Sequence, residues 1–396
     1  MSKKENPQQL YNAVALCAVG TEKAVSNELK KLGLCVIESA YGKVRFKADL
    51  TGLYRSLMGL RAADRVLLEA TSFHAADFDA LFEKTQEVPW EKLVAPESGL
   101  TIVKVRSSAS RLKAETSIQS ITHKAAAQRL CKHSGLSRLP DTDHAAEVRV
   151  YVEKDTVSLL LDLSGEPLFK RGYRKDGGIA PLRETTAAAM ILLSGWKRKY
   201  PLYDPFCGSG TILAEALMYA WDMAPGIART GVHGFAIDRL LIADKKTEET
   251  VRSDFRARIN FERLIRLAGS DEDPECSALA LSNLNKVHAL AENNKPQIPL
   301  VTTKPMNMAK PPFEADEEPR GFIITNPPYG KRLGDIEASI EIYKEMAALA
   351  KNFPGWKLAV ISDHPGFESF FGRKADSCRE ITGGAVPAYF YQYEKL

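Results

Sequence analysis

At 396 residues the chain is long enough for two or three domains, each able to bury its own core. A composition of 44% hydrophobic, 26% charged and 8% aromatic residues is that of an ordinary folded protein and excludes a wholly disordered chain. The formal charge of +4 is uneven: residues 1–175 carry about 27 Lys and Arg against about 21 Asp and Glu, so the first half offers either a polyanion-binding face or a solvated basic one.

From the start of the chain, Met1–Gln9 is polar, with no secretory leader, and the apolar run Ala13–Val19 is far shorter than the roughly 20 residues of a membrane span. A cytoplasmic protein without membrane association is expected. Tyr11–Val19 alternates as a strand, Glu22–Leu32 has helical spacing, and Cys35–Ile37 and Lys43–Phe46 are short strands around Tyr41-Gly42, together a small α+β unit. A helix over Leu50–Leu60, a strand over Arg65–Thr71 and a helix over Phe78–Lys84 follow.

Leu100–Val105 has the composition of a strand and opens a basic, helix-bearing stretch through Lys104, Arg106, Arg111, Lys113, Lys124, Arg129 and Lys132, in which Glu115 is the single acid. Val148–Val152 and Val157–Leu163 are strands around a turn at Glu153-Lys154-Asp155. At about residue 169 the pattern changes. Beyond the Gly- and Arg-rich loop Lys170–Gly178, strands at Leu202-Tyr203, Leu264–Gly269, Gly321–Thr325 and Lys357–Ile361 alternate with helices at Arg183–Leu193, Ile212–Ala220, Ala278–Val287 and Ile336–Ala350, which predicts an α/β, doubly wound, mostly parallel sheet. The charged interval from Trp221 to Glu262 is a helical insertion of no assigned role. The six cysteines form no CxxC pair and no Cys/His cluster, so reduced thiols and no metal site are expected.

Three motifs carry chemistry. Asp204-Pro205-Phe206-Cys207-Gly208-Ser209-Gly210-Thr211 joins a short strand to a helix, and its two glycines let backbone N–H groups at the helix start meet an anionic or carboxylate-bearing cofactor. Leu213 stands where a dinucleotide fold has its third glycine, and no GKS or GKT follows, which disfavours a diphosphate site and excludes a P-loop. In Gly269-Ser270-Asp271-Glu272-Asp273-Pro274, Asp271 either accepts two ribose hydroxyls or belongs to an acidic cap of the next helix. Asn326-Pro327-Pro328-Tyr329-Gly330 follows an apolar strand. An amide oxygen and a proline-stiffened carbonyl can accept both N–H bonds of a planar amino group, with a tyrosine ring stacked on its base. Such an amine attacks a sulfonium methyl by proximity and orientation, on a single-stranded, looped or flipped-out nucleotide.

These motifs resemble those of class I, Rossmann-like methyltransferases that carry an N-terminal THUMP domain, a family that includes bacterial enzymes forming N2-methylguanine in large-subunit ribosomal RNA. The resemblance covers nearly the whole chain. It implies a ferredoxin-like unit in 1–65, a THUMP RNA-binding domain in 66–168 and a methyltransferase domain with a seven-stranded sheet in 169–396. It makes Asp204, Pro205, Phe206, Gly208, Ser209, Gly210 and Thr211 the first cofactor motif. Asp271 with Glu272 becomes the second, and Asn326, Pro327, Pro328 and Tyr329 the catalytic tetrad, with Asn326 also beside the cofactor. Arg183, Glu184 and Thr185 lie in a segment that closes over the methionine end of the cofactor, S-adenosylmethionine. Asn307 stands where many members have an aspartate for the adenine amino group.

The implied substrate is RNA, 23S rRNA or a ribosome-assembly intermediate, with Lys104, Arg106, Arg111, Lys113, Lys124 and Arg129 as its phosphate contacts. A DNA or RNA adenine-N6 methyltransferase uses the same pocket chemistry, and a non-catalytic RNA-binding assembly factor is the rival of another class. The oligomeric state is not encoded in these patterns.

Overall fold

A computed structural model describes residues 9–174, 182–290, 300–303, 320–328, 333–383 and 387–396. The first half comprises β1 (Tyr11–Cys17), α1 (Glu22–Lys31), β2 (Cys35–Ala40), β3 (Lys43–Ala48), α2 (Leu50–Gly59), β4 (Ala63–His74), α3 (Phe78–Glu87), β5 (Leu100–Ser108), α4 (Glu115–Ser134), β6 (Ala146–Glu153) and β7 (Thr156–Asp162). Local chemistry places their ends. Asp49 and Asp77 accept the N–H groups of Gly52 and Ala80 to cap α2 and α3, and Lys154 and Asp155, at φ 50° and 60°, make the two-residue turn between β6 and β7.

These strands form one seven-stranded sheet in the order β2-β3-β1-β4-β7-β6-β5. β4 runs through the expected 65/66 boundary and pairs with β1 on one side and β7 on the other, so the ferredoxin-like and following units share a sheet. Alternation gives that sheet two faces. Ala15, Phe46, Val66, Val150 and Leu161 face the helices and join the main core, whereas Val14, Leu67 and Leu160 form a separate small cluster on the open side with Leu16 and Tyr151.

The second half contains α5 (Glu184–Ser194), β8 (Leu202–Asp204), α6 (Thr211–Ala220), α7 (Lys245–Ala257), β9 (Leu267–Asp271), α8 (Pro274–Leu290), β10 (Leu300–Thr303), β11 (Phe322–Thr325), α9 (Leu333–Met346), α10 (Ala348–Asn352), β12 (Lys357–Ser362), α11 (Phe367–Phe371), β13 (Ser377–Ile381) and β14 (Ala388–Tyr393). Its sheet has the order β10-β9-β8-β11-β12-β14-β13, parallel except for the antiparallel pairs β12/β14 and β13/β14. The sequence pattern locates four of these strands; β10, β13 and β14 are additions. Strand order reverses between β8 and β11, and in such folds the crevice at that reversal receives the ligand.

The two halves share one hydrophobic core, and the 222–262 interval is one of the segments that join them. Gly226 N donates to Met58 O at 2.8 Å, Ile237 N to Leu163 O at 3.1 Å and Leu241 N to Leu93 O at 3.0 Å. In α7, Phe255 lies against Gly59, and the buried Arg252 donates to the carbonyls of Ile227 and Arg229 and pairs with Glu248. Nearer the centre, the buried Arg61 guanidinium donates to Met223 O at 2.5 Å while Glu28 accepts the N–H groups of Arg61 and Ala62. Arg171 donates to Arg61 O and lies 3.5 Å from Glu215 of α6.

Removing one partner from such a buried network leaves uncompensated charge and unmet carbonyls. Arg61→Met is therefore expected to lower unfolding stability by about 3–5 kcal/mol, read as a lower midpoint in urea or heat; an unchanged midpoint would show the guanidinium to be dispensable.

Candidate active site

The site begins where β8 runs out. Asp204, the last residue of that strand, is 1% exposed and accepts from Thr325 Oγ1 at 2.7 Å and from Phe206 N at 3.2 Å. Burial pushes its carboxyl up to about 7, against the opposing pull of those two donors. Because Thr325 ends β11, this one bond fastens the start of the glycine turn to the residue before Asn326.

The turn is held on its other side by β9 and α8. Cys207 N donates to Ser270 O at 2.9 Å, Gly208 N to Asp271 Oδ2 at 2.8 Å, and Asn283 Nδ2 of α8 to Ser209 O at 2.9 Å. Gly210 sits at φ 75°, and a Cβ there would lie 2.9 Å from Ala280 Cβ, so both its conformation and its close approach to α8 require glycine. Thr211 then begins α6, whose first N–H groups face the turn. Asp271 has its two oxygens on Gly208 N and Asp273 N, while Asp273 accepts from Glu275 N at the start of α8. Glu272 is exposed.

The segment before α5 divides. Glu184 is buried, and Arg174 Nη2 approaches its Oε2 at 2.9 Å while Arg174 Nη1 donates to Thr211 Oγ1 at 3.2 Å. Burial raises the Glu184 carboxyl to about 7 even beside that guanidinium. Thr185 and Arg183 turn instead to the first sheet: Thr185 Oγ1 donates to Asp64 at 2.6 Å, and Arg183 lies 3.7 Å from the same carboxylate and over the Phe169 ring. Of the three residues only Glu184 is linked to the glycine turn. Arg174 is the residue that sequence reasoning misses; the alternation of cations and glycines in its loop is the one signal that could have found it.

On the far side of the switch point, Asn326 is half-buried, Pro327 buried and Pro328 exposed. The Asn326 Oδ1 atom is buried and accepts no hydrogen bond among the described residues. An acceptor left open in this way is rare and calls for a ligand, water or strain. Tyr329 and Asn307 lie outside the described residues.

The basic stretch does not form one surface. Lys104 and Arg106 flank the core residue Val105 and lie in register with Arg149 and Tyr151 on the open side of the first sheet. Burial first, and then Arg106, Arg149 and Arg65, draw the Lys104 pKa below its ordinary value. Asp162 compensates Arg65 and Arg149, at 2.6 and 3.1 Å, and Arg106 pairs with Glu115 at 3.2 Å. Lys124 stands exposed on α4, which packs on the opposite face. Arg111 is paired loosely with Asp155 at 3.8 Å, and Lys113 is exposed. Arg129 is partly exposed and grips Glu91 with Nε at 3.0 Å and Nη2 at 2.6 Å, and its hydrogen bonds hold that carboxyl down at about 2.

With this geometry in place, comparison with known proteins identifies relatives along the whole chain. Residues 171–389 match the family described as RMKL-like, methyltransferase domain, and residues 12–67 match the RlmL ferredoxin-like domain. The Bacillus subtilis (strain 168) protein YpsC, whose name assigns it provisionally to the RNA methyltransferases, is 33% identical over 97% of this chain and 96% of its own length. The ribosomal RNA large subunit methyltransferase K/L of Aeromonas salmonicida (strain A449) is 30% identical over 96% of this chain, which spans about half of that protein (54%). The crystal structure of SMU.472 complexed with SAH superimposes with a TM-score of 0.86 at 31% identity, covering 98% of this chain and 99% of that one. The chain thus belongs to the RMKL-like methyltransferase family, with an RlmL-type ferredoxin-like domain at its N-terminal side.

Proposed function

We propose that this chain methylates an exocyclic amino group of a base in RNA, guanine N2 of 23S ribosomal RNA being the target chemistry, with S-adenosylmethionine as methyl donor. The observation that carries it is the open Asn326 oxygen at the sheet's switch point, one residue from the Thr325–Asp204 bond that anchors the cofactor turn. The residues present fit the cofactor: the glycine turn offers N–H groups at the start of α6, Asp271 stands at the tip of β9 for two sugar hydroxyls, and Glu184 lines the other end.

When bound, S-adenosylmethionine supplies an electrophilic methyl group. Asn326 Oδ1 accepts one N–H of the substrate amine and the Pro327 carbonyl accepts the other, which fixes the nitrogen lone pair toward the cofactor turn. No strong base is needed, because the proton leaves only after the new N–C bond has made the nitrogen acidic. Proximity and orientation supply the acceleration. Tyr329, outside the described residues, is assigned to stacking on the extruded base.

Asn326→Ala is expected to cut methyl transfer by about 10²–10³-fold, by analogy with loss of one transition-state hydrogen bond, while cofactor affinity changes by less than a few-fold. Radiolabelled methyl incorporation and calorimetry read the two quantities. Mass-spectrometric mapping of nucleosides from cells with and without the protein tests the base: loss of an N2-methylguanosine supports the target, whereas loss of N6-methyladenosine moves the activity to adenine.

RNA is proposed to be held on the open side of the first sheet. Charge reversal at Lys104 and Arg106 together should weaken RNA binding and flatten its salt dependence by about one unit of slope for each phosphate no longer neutralised. Arg129→Ala should leave RNA affinity unchanged and lower the melting temperature instead; filter binding over a salt series together with thermal scans separates them.

A further inference from the structure

A groove with unpaired positive charge runs where the two halves meet at the outer edge of the second sheet. In α1, Lys23, Ser26, Asn27 and Lys30 follow the i, i+3, i+4, i+7 spacing of one helix face and form a wall of this open groove of about 680 Å³. The β2–β3 turn with Tyr41 forms another wall, and Arg379 of β13 reaches in from the methyltransferase sheet. The walls are fixed to one another. Glu22 accepts Gly20 N at 2.9 Å and Gly42 N at 2.8 Å, which staples the loop before α1 to the β2–β3 turn, and Arg379 Nη1 donates to Gly20 O at 3.1 Å. Glu22 is the one acid that lines the groove, and each of its oxygens already holds one of those amides. Lys23, Lys30 and Arg379 pair with no carboxylate among the described residues, whereas Arg106, Arg111 and Arg129 of the basic stretch each do. Tyr41 is 79% exposed, so its ring is open to a ligand. The groove also borders the rim that carries the reactive centre. Ile381 at the end of β13 pairs with Ala388, Tyr389 with Ser362 at the end of β12, and Val360 with Thr325 at the end of β11. These strand ends share one rim, and β13 stands three strand spacings, about 14 Å, from β11 along it.

We propose that this groove holds the RNA strand flanking the target base, its phosphates at Lys23, Lys30 and Arg379 and one of its bases stacked on Tyr41. The proposal rests on the RNA substrate assigned above and adds a contact on the helix side of the first sheet, where α1 packs through Ala24, Val25 and Leu29, away from Lys104 and Arg106. Ammonium and guanidinium groups neutralise phosphates without reading sequence, and an aromatic face takes any base. Ser26 and Asn27, between the two lysines, supply the hydroxyl and amide donors that bond phosphate and sugar oxygens. The Arg379–Gly20 bond and the backbone bonds between Val19 and Thr382 tie the approach to α1 to the end of β13. A strand seated in the groove is thereby held in fixed register with a base at Asn326.

Unmodified 23S ribosomal RNA made by transcription is the probe. Lys23→Glu combined with Lys30→Glu changes two exposed side chains that make no bond among the described residues, so the melting temperature should match wild type. In filter binding over a salt series, the double variant should lose about 0.7 of a unit of slope for each single-strand phosphate no longer neutralised. In methyl transfer, KM for the RNA should rise by about 10-fold or more while kcat stays within about twofold. Tyr41→Ala should weaken binding by about fivefold or more, the low end for one stacked base, and Tyr41→Phe should restore it. Affinity for S-adenosylhomocysteine should not change in any of these variants. Unchanged affinity, slope and KM in the double variant would overturn the groove and leave the RNA substrate standing. Weaker binding with the wild-type salt slope would overturn it too, because the lysines would then meet something other than phosphate. Wild-type protein that neither binds nor methylates this RNA would sink both.

Discussion

The hydrogen bond from Thr325 to Asp204 is the constraint on which the site depends. It is buried, and it crosses between the ends of β8 and β11 where the strand order reverses. β8 is only three residues long and could not by itself hold an eight-residue turn in register. Its parallel pairing with β9 and β11 places three strand tips in a row, and the bond locks two of them together. Asp271 on the third tip then reaches Gly208. The cofactor turn, the acidic residue and the amide oxygen of Asn326 are thus fixed by sheet geometry and two carboxylates, with α8 behind them closing on Gly210 and Ser209.

The first sheet is part of this arrangement as well. Asp64, next to the start of β4, binds both Thr185 and Arg183, the residues on either side of Glu184. A shift of the first sheet would be felt one residue from the pair that faces α6. The interval 222–262 adds the mechanical link, through backbone hydrogen bonds to Met58, Leu93 and Leu163 and through the Arg252 guanidinium. Through these bonds the first half is fixed to the elements around the reactive centre, and orientation within a fraction of an ångström governs group transfers.

Much of the fold is legible in the sequence because its signals are local. The glycine turn, the acidic strand tip and the proline pair each follow an apolar strand directly, and the helices declare themselves by spacing. What is not legible depends on partners far along the chain. Nothing near Arg129 announces Glu91, 38 positions away, so its pairing with that carboxylate is invisible in the sequence. Lys104 and Lys124 are close in sequence yet lie on opposite faces, since strand alternation and helix packing sort them differently. Thr185 and Asp64 are 121 positions apart, and the charged interval after Trp221 hides apolar residues such as Ile237, Val251 and Phe255 that join the shared core. The aromatic run of β14 is a local signal too, but it follows no helix, so the strand–helix alternation does not single it out.

The two sheets are also stitched at a second place, far from the crevice. Val19 and Thr382 exchange backbone hydrogen bonds at 3.0 Å each way, and Arg379 reaches the Gly20 carbonyl across 359 positions. Gly20, at φ 89°, is the residue whose missing side chain lets the Glu380 carbonyl approach. Contacts of such sequence separation carry the heaviest closure entropy and are rewarded only after both ends are already ordered. The seam therefore repays its closure only when both of its ends are ordered, and Thr382 follows directly on β13, the edge strand of the second sheet, whose unpaired side is the one open to a wrong partner.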